Sequence, residues 1–285
     1  CMVGGIAANN ASGMCCGTSQ NSYRTVRDLR VVLADGAVLD TADPASVRAF
    51  RTSHAELLGE LERLARETRA NSALAERIRH KYRLKNTTGY ALNSLVDFED
   101  GIEILKHLMI GSEGTLGFIS AITYESVIDE PEKAAALAFF PDMATTCRAT
   151  IALKQAPVSA VELMDRAALR SVQDQAGMPT VLKALPEGAA ALLVDVRGND
   201  DAELESRLEQ VQKILTEIQT LEPVAFTHDA STYALYWKIR KGLFPAVGAV
   251  RETGTTVIIE DVAFPIERLD EGVLALTEVF RRHGY

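Results

Sequence analysis

Two glycine-rich stretches constrain this chain most: Gly4-Gly5-Ile6-Ala7-Ala8-Asn9-Asn10-Ala11-Ser12-Gly13 and Gly111-Ser112-Glu113-Gly114-Thr115-Leu116-Gly117. Runs of small residues let the backbone itself approach a ligand, and their N–H groups can converge into an anion-binding concavity. A single such run is also what a tight turn between buried elements needs. Two of them, flanked by strand-like segments, point to a phosphate-bearing cofactor. Neither is a P-loop, because the Lys-Ser/Thr pair is missing, and neither has the GxGxxG spacing of a dinucleotide fingerprint. Asn9, Asn10 and Ser12 add side-chain groups suited to a diphosphate or the polar edge of a ring, though an Asn-rich turn accounts for them equally well. Glu113 is positioned to accept from a ligand hydroxyl or to brace its own loop, and bracing is the simpler role.

Acids outnumber bases, 39 to 30, for a net charge of −9. No Lys/Arg block offsets this, which argues against a nucleic-acid surface and requires any anion to be caught by a local basic cluster. Cys1, Cys15, Cys16 and Cys147 form no CxxC pair, so the chain encodes neither a zinc nor an iron–sulfur site. Adjacent Cys15 and Cys16 read as small residues filling a loop in a reducing, cytoplasmic compartment. No apolar run approaches the roughly 20 residues that cross a bilayer.

Leu29 to Leu39 reads as a β-hairpin turning at Asp35-Gly36. From Pro44 to about Arg83 the period is helical, with Leu57, Leu58, Leu61, Leu64 and Ala65 on one face. A helix over Asp100–Leu108 leads into the second glycine stretch, and Phe118–Tyr124 is a strand. The polar Asp129-Glu130-Pro131-Glu132-Lys133 marks a domain boundary, dividing 1–130 from 131–285. Beyond it, strands are expected at Ala134–Phe140, Val158–Met164, Ala189–Val196, Pro223–Thr227 and Thr255–Phe264. Helices are expected at Met143–Lys154, Asp201–Thr220, Ser231–Leu243 and Ile266–Arg282. The pattern predicts an α+β fold, an antiparallel sheet with helices on one face.

On the Ser231–Leu243 helix, Tyr233, Trp237, Arg240 or Lys241, and Phe244 share a face. An arginine among aromatics can clamp a carboxylate through its planar fork, or can simply snorkel from the rim of a core. Glu260 and Asp261 interrupt an apolar run, where an acid needs a partner.

Gly4 to Tyr23, Met109 to Ile119 (MIGSEGTLGFI) and Tyr236 to Pro265 (with WKIRKGLFPAVGA and TTVIIEDVAFP) together resemble the FAD-linked oxidases of the vanillyl-alcohol-oxidase/p-cresol-methylhydroxylase superfamily. Within it, the chain is similar to the D-lactate and D-2-hydroxyglutarate dehydrogenase branch, specifically its long bacterial members that carry flavin and an iron–sulfur part. The resemblance implies the C-terminal part of a PCMH-type FAD-binding domain, with a helical insertion over about 44–83, followed by an incomplete α+β substrate (cap) domain. It implies that Gly4, Gly5, Asn9, Asn10, Ser12 and Gly13 line the FAD diphosphate and ring, and that Glu113, Gly117 and Ile119 hold the adenosine side. It assigns Arg240 to the carboxylate of a small-molecule D-2-hydroxy acid, whose hydride passes to flavin and whose electrons pass to a carrier. A metal ion and an iron–sulfur cluster are implied only for a longer parent. The chain is expected to be a central fragment, inactive alone. Residues near Phe244 and Ile259 are apolar where relatives bind hydroxyglutarate with polar groups. The competing expectation is a non-catalytic α+β binding or assembly module whose glycine stretches are only turns.

Overall fold

A computed structural model describes residues 2–11, 13, 17–84, 86–87, 89–174, 178–250 (backbone alone across 244–250), 253–255, 262 and 264–284. The chain divides into two compact units, Cys1–Ile128 and Asp129–Tyr285.

The first unit opens with helices α1 (Val3–Asn9) and α2 (Ser22–Thr25), then the hairpin β1 (Val26–Val32) and β2 (Val38–Asp40). Asp35 turns the hairpin by accepting from Ala37 N at 2.9 Å. Helices α3 (Pro44–Ser53), α4 (Ala55–Ala70), α5 (Ser72–Lys81), α6 (Ser94–Asp97) and α7 (Gly101–Met109) follow, and β3 (Phe118–Tyr124) closes an antiparallel sheet of order β2-β1-β3. The helix starts are written in the sequence. Asp43 caps α3 ahead of Pro44, Asn71 caps α5, and Asp100 accepts from both Ile102 N and Glu103 N at the head of α7. The apolar stripe of α7 (Ile102, Leu105, Met109) packs with Leu29, Val31 and Leu39 of the hairpin and Leu58 of α4. Gly117 sits where a Cβ would lie 2.8 Å from the Val32 carbonyl oxygen, so β3 can enter the sheet only without a side chain there.

In the second unit β4 (Glu132–Phe140), α8 (Met143–Leu153), β5 (Ala160–Met164), α9 (Arg166–Val172), α10 (Val181–Ala184) and β6 (Ala190–Gly198) precede α11 (Asp201–Thr216) and α12 (Ala230–Val250). A 3-10 turn, Ile266–Arg268, leads into α13 (Leu269–His283). The sheet is antiparallel with β6 in the centre, order β4-β6-β5. Alternate residues of β4 and β6 enter two different cores. Ala135, Phe139, Ala191 and Leu193 meet Leu169 of α9 and Trp237 of α12, while Ala138, Phe140, Leu192 and Val194 meet Leu153 of α8 and Leu208 of α11. The mixed α+β class with an antiparallel sheet is as expected, but helices cover both faces rather than one. The cause is visible in β6, whose run of Ala and Leu is apolar on both sides.

Two local expectations change. Residues Val3–Asn9 form a helix rather than a stretch whose N–H groups converge on an anion: Ala7 is fully buried, and the end of the helix is closed by the distant N–H groups of Gly111 and Glu113. Pro223–Thr227 contributes a single antiparallel bridge, Ala135 to Thr227, instead of a strand; Pro223 has no N–H to give. The expected strand at Thr255–Phe264, with Glu260 and Asp261, falls largely outside the described residues.

Candidate cofactor and carboxylate sites

The two glycine-rich stretches meet. Gly111 N donates to Ala7 O at 3.1 Å and Glu113 N to Ala8 O at 2.9 Å, so the second stretch caps the C-terminus of α1. Asn10, in the left-handed conformation at φ 57, ends the helix, and its Oδ1 accepts from Tyr23 N at 3.1 Å. Asn9 Nδ2 donates to Glu113 Oε1 at 2.6 Å, stapling one stretch to the other. Gly111 (φ 86), Glu113 (φ 53) and Gly114 (φ 75) all have positive φ, the conformation this reversal demands. Glu113 thus braces the turn, and several N–H groups that might have faced an anion are given to carbonyls.

What stays open is one side of α1. Met2, Val3, Gly5 and Ile6 are exposed, and a Cβ at Gly5 would meet nothing within 4 Å. Gly4 instead backs onto β3, where its Cβ would lie 3.5 Å from the Ile119 carbonyl. Gly13 is exposed, Ile119 is half-buried against the hairpin core, and Ser12 lies outside the described residues. This face is apolar and exposed, with a glycine at its middle, and it offers fewer free backbone donors than the sequence led one to expect.

Behind α1, Tyr23 donates to Asp97 Oδ2 at 2.8 Å and its phenol is held far above its ordinary pKa, by burial first and then by the Asp97 charge. His107 stacks on Phe98 with centroids 4.0 Å apart and meets Tyr23 edge-on at 4.9 Å. Burial holds its pKa below the usual histidine value.

In the second unit Arg240 of α12 reaches across to β5, giving Nε–H to Glu162 Oε2 at 2.9 Å. Among the described residues its two terminal nitrogens donate to nothing. Sequence reasoning missed both this partner and Asp195. The Asp195 carboxylate, on β6 with no exposed surface, accepts from Tyr233 OH at 2.7 Å, Trp237 Nε1 at 3.0 Å and Arg197 Nε at 3.2 Å. Burial, then the bond to Asp195, pushes the Tyr233 phenol up to about 12. Tyr233 and Trp237 therefore share a face as expected, but that face is committed to Asp195. Lys241 Nζ lies over the Trp237 ring, 5.9 Å from its centroid. The signal for Asp195 was present as an acid inside the run Leu192-Leu193-Val194-Asp195-Val196. Among the described residues no group of three or more His, Cys, Asp or Glu is arranged to hold a metal, and no helix is long and apolar enough to cross a membrane.

A region described as the C-terminal domain of FAD linked oxidases matches residues 130–285, and one described as an FAD binding domain matches residues 1–42. The chain belongs to the FAD linked oxidases, and FAD is the cofactor. Among relatives, a D-lactate dehydrogenase of Anaerostipes hadrus is 30% identical over 176 residues, covering 59% of this chain and 35% of that protein. A probable mitochondrial D-2-hydroxyglutarate dehydrogenase of Oryza sativa subsp. indica is 25% identical over 276 residues, covering 94% of this chain and 39% of its own length. The chain therefore spans little more than a third of these proteins. A solved alkyldihydroxyacetonephosphate synthase shares the fold at TM-score 0.50 and 13% identity, over 87% of this chain and 38% of that one.

Proposed function

We propose that the whole protein oxidises a D-2-hydroxy acid of the D-lactate or D-2-hydroxyglutarate class and passes the electrons to a separate carrier. The observation that carries this is the state of Arg240: oriented through Nε by Glu162, with no partner among the described residues at its terminal nitrogens. A guanidinium fixed on one edge presents the other as a two-pronged donor, matched in shape and charge to a carboxylate. Glu162 orients the fork and offsets part of its charge. FAD, when bound, supplies the acceptor for the hydride from C2. Residues of this chain that would hold it are Gly4, Gly5, Asn9, Asn10, Ser12 and Gly13, with Glu113, Gly117 and Ile119 on the adenosine side. The names of the relatives support the substrate class, and the reading of Cys15 and Cys16 supports a cytoplasmic setting.

The test is anaerobic bleaching of the flavin absorbance in the whole protein by D-lactate and by D-2-hydroxyglutarate. Loss of a charged hydrogen-bonding pair in Arg240→Ala should weaken the reaction about 10- to 100-fold at subsaturating acid. Arg240→Lys should recover only part. Unchanged kinetics in Arg240→Ala would remove the assignment.

One observation favours a second reading, in which this segment is scaffold and its glycine stretches are turns: the N–H groups of Gly111 and Glu113 are already taken by α1. On that reading the purified chain leaves no perturbed flavin band after excess FAD is added and the free cofactor removed.

A further inference from the structure

The first unit contains a concentration of positive charge apart from the α1 face and the glycine turn. Arg24 of α2, Arg79 in the last turn of α5 and Arg83 just beyond it line one cleft of about 420 Å³, with the hydroxyls of Thr18 and Ser19 at its edge. In a chain of net charge −9, three guanidinium groups around one cavity are a local reversal of the prevailing field.

Among the described residues their donors close no hydrogen bond. Arg24 is 3.9 Å from Asp97 and Arg79 is 3.8 Å from Glu76, both beyond hydrogen-bond distance. Arg83 has no partner among the described residues. By contrast Arg51, Arg63 and Arg170 close on carboxylates at 2.6 to 3.0 Å. The single acid of the cleft, Asp97, is occupied by Tyr23 OH at 2.8 Å and Asn93 Nδ2 at 3.2 Å. Asn93 is buried, and its Oδ1, an acceptor without a partner among the described residues, leaves room on the floor for a water that could bridge to the anion. Beside Arg83, Tyr82 OH donates to Tyr90 O at 2.6 Å and accepts from Leu92 N at 3.0 Å, tying Tyr82 to the segment at Tyr90–Leu92.

We propose that this cleft is an oxyanion site for a phosphate-type dianion, gripped by Arg24, Arg79 and Arg83. Three guanidiniums set against two carboxylates, Asp97 in the cleft and Glu76 beside Arg79, still leave an uncompensated positive charge for an anionic phosphate oxygen, and the volume admits more than a single phosphate. A second, smaller recess lined by Asn10, Asn21 and Asn86 shares Thr18, Arg24 and Tyr82 with the cleft. The dianion therefore has two sources, the diphosphate of FAD reaching over from α1 or a separate oxyanion. This inference is independent of the Arg240 reading, which concerns the other unit.

The probe is inorganic pyrophosphate, titrated calorimetrically into the 285-residue chain at low salt. One saturable site is expected, weakened about tenfold by each of Arg79→Ala and Arg83→Ala and less by Arg83→Lys. Arg48→Ala, an exposed arginine on α3, should leave it unchanged. Competition by FAD but not riboflavin would assign the site to the cofactor diphosphate; simultaneous binding of FAD and pyrophosphate would assign it to a separate oxyanion. The absence of saturation by about 1 mM pyrophosphate, or equal weakening by Arg48→Ala, overturns the proposal. Far-UV circular dichroism confirms that each variant is folded, and Arg79→Gln replaces any alanine variant that is not.

Discussion

Replacing Asp195 with alanine tests how the second unit is held together. The carboxylate has no exposed surface and takes donors from α12 (Tyr233 OH, Trp237 Nε1) and from its own strand (Arg197). Its loss strands the donors unequally. Arg197 is 20% exposed and keeps Asp129 at 3.2 Å, so it is not orphaned. Trp237 Nε1, which is buried, is, at about 1–3 kcal/mol, and the half-buried Tyr233 OH loses its acceptor at the low end of that range, about 1 kcal/mol. The sum overlaps the roughly 3–5 kcal/mol seen when a buried charge pair loses one member, and about 3–5 kcal/mol is the expected loss. Asp195→Asn keeps one acceptor oxygen but turns an amide donor towards a donor, so it should cost about 1–3 kcal/mol. The chain has one tryptophan, so urea unfolding followed by Trp237 emission reports this unit alone. The native emission should also shift, because the indole N–H loses its acceptor. A loss below about 1 kcal/mol in Asp195→Ala would refute the view that this carboxylate clasps α12 to the sheet.

Leu193→Ala removes a fully buried side chain from the centre of β6 and should lower the stability of the second unit by about 2–5 kcal/mol in the same urea assay. Gly117→Ala drives a Cβ against the Val32 carbonyl and should destabilise the first unit by about 1–3 kcal/mol, read by circular dichroism; a neutral result would mean β3 can shift freely. His107 gives the first unit a pH dependence. Its folded pKa is depressed by burial, so its contribution is complete above the unfolded value of about 6.5 and is lost as pH falls towards the folded value. Urea midpoints of the first unit should therefore fall from pH 7 to 5, and His107→Gln should flatten that part of the slope.

Much of the fold was legible because it is local. The hairpin at Asp35-Gly36 and the capped stripe of α7 carry their signals within a few residues, and both form. The glycine stretches were legible as special, and the structure brings them together. That the first is a helix was not legible, since Gly4-Gly5 disfavours one and the groups that end it arrive from Gly111 and Glu113. The two-sided sheet could be read from the unbroken apolar run of β6, which alternation-based reasoning undervalues. The pairing of Arg240 with Glu162 had no sequence signal at all: the two lie on a helix and a strand joined only by tertiary structure. The arginine cleft was foreshadowed by charge alone, as the requirement that any anion be caught locally.

The cap on α1 also has a consequence in time. Residues 3–9 leave the ribosome about a hundred residues before Gly111 and Glu113, for which their final carbonyls wait. At synthesis rates of about 5–20 residues per second, the nascent helix stays open-ended for several seconds while the hairpin and α3–α7 assemble. A contact of such sequence separation closes late, after the local elements have formed. The α1 segment is therefore finished only when the rest of its unit is, and a chain stalled before Gly111 would leave it unanchored, with Ala7, buried in the finished unit, open to a chaperone or a protease.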